Sequence, residues 1–277
     1  MADTRAEGRY EMRRIDTGRI TLNIRSGGSG PLMVFFHGIT ANSAVFEPMM
    51  DAFSDDFTTV AVDQRGHGHS DKPESGYAAD DYADDIAALI KALDLGPAIL
   101  VGHSLGSRNS VTAAARHPDL VRCVIAIDFT PYIEDEVFDT LTARVNSGNQ
   151  VFDDLGAVVD YLANRYPNIP APAIRIRAKS GYGPVEGGGL RPFASALAMA
   201  QTAHGLRADL RPAFRDVPRP VLVVRGANSK LVTAAALEKT HALRPDMPIS
   251  VVPDADHYVH ETNLSATIGA IRNFVDS

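Results

Sequence analysis

The chain has 277 residues, room for one large α/β domain with an insertion or for two small domains. Hydrophobic residues make up 45% and charged residues 22%, with a formal charge of −7. That is the balance of a soluble globular protein, and the acidic surplus argues against nucleic acid or an anionic membrane as the main partner. No apolar stretch approaches the ~20 residues that span a bilayer, and Met1–Gly8 carries no apolar run of the kind found in a secretory signal. The single cysteine, Cys123, cannot form an internal disulfide. It lies in the apolar run Val121–Ile127 and reads as a buried, inert strand residue. A cytoplasmic enzyme is the expectation.

In chain order, Tyr10–Thr17 and Arg19–Arg25 alternate in character and predict a hairpin. Leu32–Phe36, Thr59–Val62, Ala98–Val101 and Val121–Ile127 show little alternation, as expected of strands in a parallel sheet covered on both faces. Between them, Ile86, Leu89, Ile90 and Leu93 recur at helical spacing within Asp81–Leu93, and Leu105–Arg116 predicts a second helix before Pro118. The rhythm returns with a seventh strand, Val221–Arg225, a helix over Thr233–Leu243, an eighth strand, Ile249–Val252, and a helix from Leu264 to Val275. This predicts a doubly wound, mostly parallel α/β sheet. Residues 132–215 hold helical stretches and the prolines Pro167, Pro170 and Pro172, with no core strand. They read as a helical cap inserted after strand six, with 1–131 and 216–277 forming the core.

Gly102-His103-Ser104-Leu105-Gly106 joins a strand to a helix. G-x-S-x-G in that context is a nucleophile elbow, which projects the Ser104 hydroxyl above the sheet edge and frees the Leu105 N–H to bind an oxyanion. A serine hydroxyl needs a base. Of nine histidines, His257 follows the last strand and so reaches the same sheet edge. His103 points away from Ser104 on the elbow, and His67 and His69 sit in a glycine-rich loop expected to shape the pocket rim. A second oxyanion donor is required. Gly38 lets the loop after the third strand approach the elbow, which makes the Ile39 N–H that donor.

His37-Gly38, Asp63-Gln64-Arg65-Gly66-His67-Gly68-His69-Ser70, the elbow and the His257 loop, in that order, resemble the α/β-hydrolase fold family over nearly the whole chain outside the cap. The family usually places its acid after the seventh strand. Here Ser229 occupies that position, with no carboxylate nearby in sequence, and is expected to be dispensable. The sixth strand instead ends in Asp128, and an unpaired buried carboxylate there would be costly. Asp128 is therefore expected to orient His257 and stabilise its imidazolium.

Ser104 excludes the epoxide-hydrolase and haloalkane-dehalogenase chemistries, which place an aspartate at the elbow. Residues 161–191 carry Arg165, Arg175, Arg177, Lys179 and Arg191 against Glu186, a local charge of +4, and arginine suits planar recognition of carboxylates. Arg144, Arg165 and Tyr166 are candidate substrate binders because one side of the cap must face the elbow. The segments Asp128–Tyr132, Arg165–Pro170 and Ser229–Val232 further resemble amide-cleaving family members whose acid follows strand six. That resemblance implies a dicarboxylate held by Arg144, Arg165 and Tyr166, with Ile39 and Leu105 as oxyanion donors and neither metal nor organic cofactor. The expected partner is thus a small dicarboxylate, and a homodimer is the one macromolecular partnership left open. A carboxylesterase, a carbon–carbon bond hydrolase and a non-catalytic small-molecule receptor on the same fold remain as alternatives.

Overall fold

The computed structural model describes residues 10–277; Met1–Gly8 lies outside them. The chain runs through β1 (Glu11–Asp16), β2 (Thr21–Gly27), β3 (Leu32–Phe36), α1 (Glu47–Phe53), β4 (Thr58–Val62), α2 (Ala79–Leu93), β5 (Ala98–His103), α3 (Leu105–Arg116) and β6 (Val121–Ile127). An excursion follows: α4 (Asp135–Ser147), α5 (Leu155–Arg165), α6 (Ala171–Gly181), β7 (Tyr182–Pro184), β8 (Leu190–Pro192), α7 (Ala196–Gly205) and α8 (Arg211–Asp216). The chain then resumes with β9 (Val221–Gly226), α9 (Ala234–Leu243), β10 (Ile249–Val252), α10 (Val259–Thr262) and α11 (Leu264–Val275).

Eight strands form one sheet in the order β1-β2-β4-β3-β5-β6-β9-β10. The β1–β2 and β2–β4 pairs are antiparallel and the rest are parallel. The central strands bury alternate residues in two different cores, because successive side chains point to opposite faces. Val34, Phe36, Leu100, Val124 and Ala126 pack with Ile86, Leu89 and Ile90 of α2 on one face. Met33, Phe35, Val101, Ile125 and Ile127 pack with Met49, Met50 and Phe53 of α1 and with Ile271 of α11 on the other. With both faces covered, these strands have no polar face to display, hence their unbroken apolar runs.

Helix α1 left no clear periodic signal because it is only seven residues long. Helix α2 begins two residues before its periodic apolar stretch. There the Asp81 carboxylate accepts the Ala78 N–H at 2.9 Å and satisfies a helix-start donor. Cys123 is only partly buried; even so, burial pushes its thiol up to about 11, which disfavours the thiolate.

The packing also moves the end of the expected cap. Phe214 of α8 is fully buried with Leu210 and Val217 in the core shared by α2 and α3, so α8 belongs to the core layer although the expected cap ran to residue 215. The cap has its own small core of Val158, Leu162, Tyr166, Ile174 and Ala178. Two ties brace α6 on the core: Asn42 donates to the Ser180 carbonyl at 2.9 Å, and Arg177 forms a buried ion pair with Glu261 of α10. Among the described residues no helix is long and apolar enough to cross a membrane.

Candidate active site

The order β4-β3-β5 reverses the direction in which the chain crosses the sheet. Loops leaving the carboxyl ends of β3 and β5 therefore diverge to opposite faces and leave a crevice between them, where such folds bind ligands. The loop after β3 contains Gly38 and Ile39, and β5 runs into Ser104.

Ser104 has φ 52° and ψ −111°, a strained conformation for a residue with a side chain. Its surroundings hold it there. Its N–H donates to the Ile127 carbonyl at 3.0 Å, and the Ser107 hydroxyl donates to the Gly102 carbonyl at 2.7 Å. A Cβ at Gly102 would strike the Gly106 backbone, and one at Gly106 would strike the Phe36 carbonyl. Gly38 lies so close that a Cβ there would sit 2.8 Å from His103 Nδ1 and 3.4 Å from Ser104 Cβ. Leu105 opens α3, where a helix leaves its first N–H groups without intrahelical acceptors. The Ile39 N–H likewise has no acceptor among the described residues. These two donors flank the serine from separate loops.

Strand β6 runs into Asp128, which is fully buried at φ 47°. Its Oδ1 accepts the Gly226 N–H at 3.1 Å. Its Oδ2 accepts the Ser229 hydroxyl at 2.6 Å and lies 2.8 Å from His257 Nδ1. An ionised carboxylate only accepts, so Nδ1 carries the proton and Nε2 is left as the basic nitrogen. Three donors on one buried carboxylate offset the cost of its desolvation. Ser229, at the position where the family usually places its acid, donates to Asp128 from the loop after β9.

Ser104 and His257 line one cavity of about 640 Å³. No direct hydrogen bond joins the two side chains in this arrangement. The other histidines serve differently. His103 places its ring 4.7 Å from that of His257. His67 does not shape the rim: it is wholly buried, edge-on to His37 at 4.8 Å, with burial holding its pKa at about 3. His69 packs on Phe193 instead.

Arg144, Arg165 and Tyr166 line the same cavity. The two arginines clasp each other: Arg144 Nη2 donates to the Arg165 carbonyl at 3.2 Å, and Arg165 Nη2 donates to the Arg144 carbonyl at 2.6 Å. Arg165 also donates to the hydroxyls of Tyr166 at 3.2 Å and Tyr161 at 2.9 Å, so most of its donors are engaged. The Tyr166 ring has Arg144, Arg165 and Arg177 stacked at 5.5, 5.7 and 5.0 Å. Burial alone would raise the Tyr166 phenol, but the Arg177 and Arg165 charges, together with hydrogen bonding, hold the phenol below its ordinary value.

Sequence reasoning counted Arg177 in the basic segment without placing it in the site, and passed over Tyr258. Both line the cavity, with the Arg177 guanidinium 5.1 Å from the Tyr258 ring. Tyr258 was within reach, since it adjoins His257. Arg177 was not, because nothing in the sequence pairs it with Glu261. Arg177 is thus paired with a carboxylate, whereas Arg144 and Arg165 have no carboxylate partner among the described residues. No group of three or more His, Cys, Asp or Glu side chains among them is arranged to hold a metal ion.

Residues 31–264 match the family model for the alpha/beta hydrolase fold. The whole chain is 69% identical to the 2-(acetamidomethylene)succinate hydrolase of Mesorhizobium japonicum, covering 99% of that protein. The crystal structure of E-2-(acetamidomethylene)succinate hydrolase superposes with a TM-score of 0.95 at 70% identity, over 97% of this chain and 100% of that one. The thioesterase domain from the curacin biosynthetic pathway shares the fold at 21% identity, with a TM-score of 0.82 over 95% of this chain and 99% of that one.

Proposed function

Starting from a chain that belongs to the α/β-hydrolase fold family, we infer that it hydrolyses the acetamide C–N bond of 2-(acetamidomethylene)succinate by an acetyl-serine route. Full-length identity of 69% to a hydrolase of that name supports the substrate. The observation that carries the reading is one cavity holding Ser104, His257 and two guanidiniums, Arg144 and Arg165, that have no carboxylate partner among the described residues. A dicarboxylate dianion supplies the two missing charges and is the partner we propose.

His257 Nε2 takes the Ser104 proton as Oγ adds to the acetyl carbonyl. The oxyanion is held by the Ile39 and Leu105 N–H groups, which carry negative charge at the transition state better than the planar carbonyl. Asp128 keeps the imidazole in the Nδ1–H tautomer and stabilises the imidazolium. The C–N bond then breaks, and His257 returns the proton to the departing nitrogen. That nitrogen is an enamine conjugated to a carboxylate-bearing alkene, so it leaves more readily than an alkyl amine. Water, deprotonated by His257, cleaves the acetyl-Ser104 ester to acetate. The released enamine tautomerises to an imine, and a second water gives ammonia and an aldehyde whose carboxylate lies β to the carbonyl. Loss of carbon dioxide from that acid leaves succinic semialdehyde.

Arg144 and Arg165 hold the two carboxylates against the elbow, with Tyr166 between them. We place the reaction in the cytoplasm, in keeping with a lone cysteine that can form no internal disulfide. The test is turnover of 2-(acetamidomethylene)succinate by the purified protein, read as equimolar acetate and succinic semialdehyde, beside small neutral esters. Faster turnover of the esters would overturn the dicarboxylate assignment.

A further inference from the structure

We propose that His103, which precedes Ser104 in the elbow pentapeptide, is a positioning residue that holds the His257 loop against the elbow and the oxyanion loop. The inference rests on the triad reading above. His103 Nε2 lies 2.8 Å from the His257 carbonyl oxygen. A carbonyl only accepts, so Nε2 carries the proton and His103 is the donor. Among the described residues this is the one hydrogen bond made by that carbonyl. His257 is thus held at two points, its imidazole by Asp128 and its backbone by His103.

The ring touches the remaining loop as well. Its Nδ1 faces Gly38 so closely that any side chain there would collide with it, and Gly38 directly precedes the oxyanion donor Ile39. One imidazole therefore spans the elbow, the oxyanion loop and the base loop. It is buried at 2% exposure, with the rings of His257, Tyr258 and His260 at 4.7, 5.6 and 4.5 Å. Burial, then the neighbouring His260 and His257, holds its pKa well below the ordinary histidine value. The ring is therefore a neutral donor, and its hydrogen bond to the His257 carbonyl does not depend on a charge of its own. A cationic side chain would repel the His257 imidazolium, and a carboxylate could not donate to the carbonyl.

The readout is the rate at which a fluorophosphonate labels Ser104, which needs the nucleophile and its base but no particular substrate. His103→Phe keeps a ring of similar size and loses the donor. His103→Asn fits the site but falls a methylene short of the carbonyl, and His103→Gln reaches it with an amide N–H. Misplacing the base loop should slow labelling and lower kcat in the Phe and Asn variants by up to ~100-fold, because alignment of reacting groups is that sensitive. KM should stay unchanged, and the Gln variant should recover most of the loss. Wild-type labelling rates in the Phe or Asn variant would overturn the proposal. So would a Gln variant as slow as the Phe variant, which would make the effect one of packing. A wild-type protein that the probe leaves unlabelled would instead overturn the triad reading, and this inference with it. Normal labelling without turnover of the acetamido substrate would leave the role of His103 standing and overturn only the substrate assignment.

Discussion

The Ser229 hydroxyl donates to Asp128 Oδ2 at 2.6 Å, on the same oxygen that faces His257 Nδ1 at 2.8 Å. The candidate acid thus sits at the end of β6, while the position after β9 keeps a hydrogen-bond donor in place of a carboxylate. Asp128→Asn should lower kcat by ~10⁴-fold, because an amide at this site favours the wrong His257 tautomer. Ser229→Ala removes one neutral donor to a buried carboxylate, a loss of ~1.5–3 kcal/mol that falls partly on stability and partly on kcat. Steady-state kinetics and a urea melt on both variants check the pair. A silent Asp128→Asn would remove Asp128 from the triad.

Ser104→Ala should keep the fold and lose ~10⁶-fold in kcat, the usual consequence of deleting a triad nucleophile. Mass spectrometry after an acid quench of the wild type should find an acetyl group on the peptide that contains Ser104. Substantial residual turnover in the alanine variant would show that another group attacks the substrate.

Arg144→Met and Arg165→Met should separate by mechanism. Each removes a charge-assisted contact of ~1.5–3 kcal/mol to the dicarboxylate. Arg165 also braces Tyr166, Tyr161 and the Arg144 carbonyl, so its loss should lower the melting temperature as well. Methionine keeps much of the stem packing, so charge is tested more than volume. The measurement is kcat/KM for the dicarboxylate and for a small neutral ester in each variant, with a melt. Equal losses on both substrates would make the arginines supports of the cap alone.

Acid should destabilise this chain early. Burial lowers His37, His67 and His260 from 6.5 to about 4, 3 and 4. Below pH 6.5 the unfolded chain takes up protons that the folded chain refuses, so the stability present above that pH is lost as pH falls towards 4. His103 is likewise held well below its ordinary value, so with four such groups the slope should reach up to about 5 kcal/mol per pH unit. Urea midpoints measured from pH 7.5 to 5 check this. A midpoint that does not move between 6.5 and 5 would mean these imidazoles accept protons in the folded state.

The layout of the fold was legible wherever a local rule controls the outcome. Apolar runs became the central strands because both sheet faces are covered, and the elbow was readable because the clashes that exclude side chains at 102 and 106 arise within the strand–turn–helix unit and against the adjacent β3. Asp128 could be named because an apolar strand that ends in a carboxylate needs a partner, and strand counting placed His257 at the same edge.

The short helix α1, the end of the cap and the burial of His67 were not legible, since each depends on which distant surface the segment meets. The same holds for the partners across long sequence distance. Ser229 reaches Asp128 across 101 residues, Arg177 reaches Glu261 across 84, and His103 reaches His257 across 154. Sequence by itself determined the candidate nucleophile, its candidate base and the sheet that presents them, because backbone sterics and burial act on neighbouring residues. Only the tertiary structure decided which arginine is paired with a carboxylate and which guanidiniums have none among the described residues, because a charge is paired by whatever folding brings within a few ångströms of it.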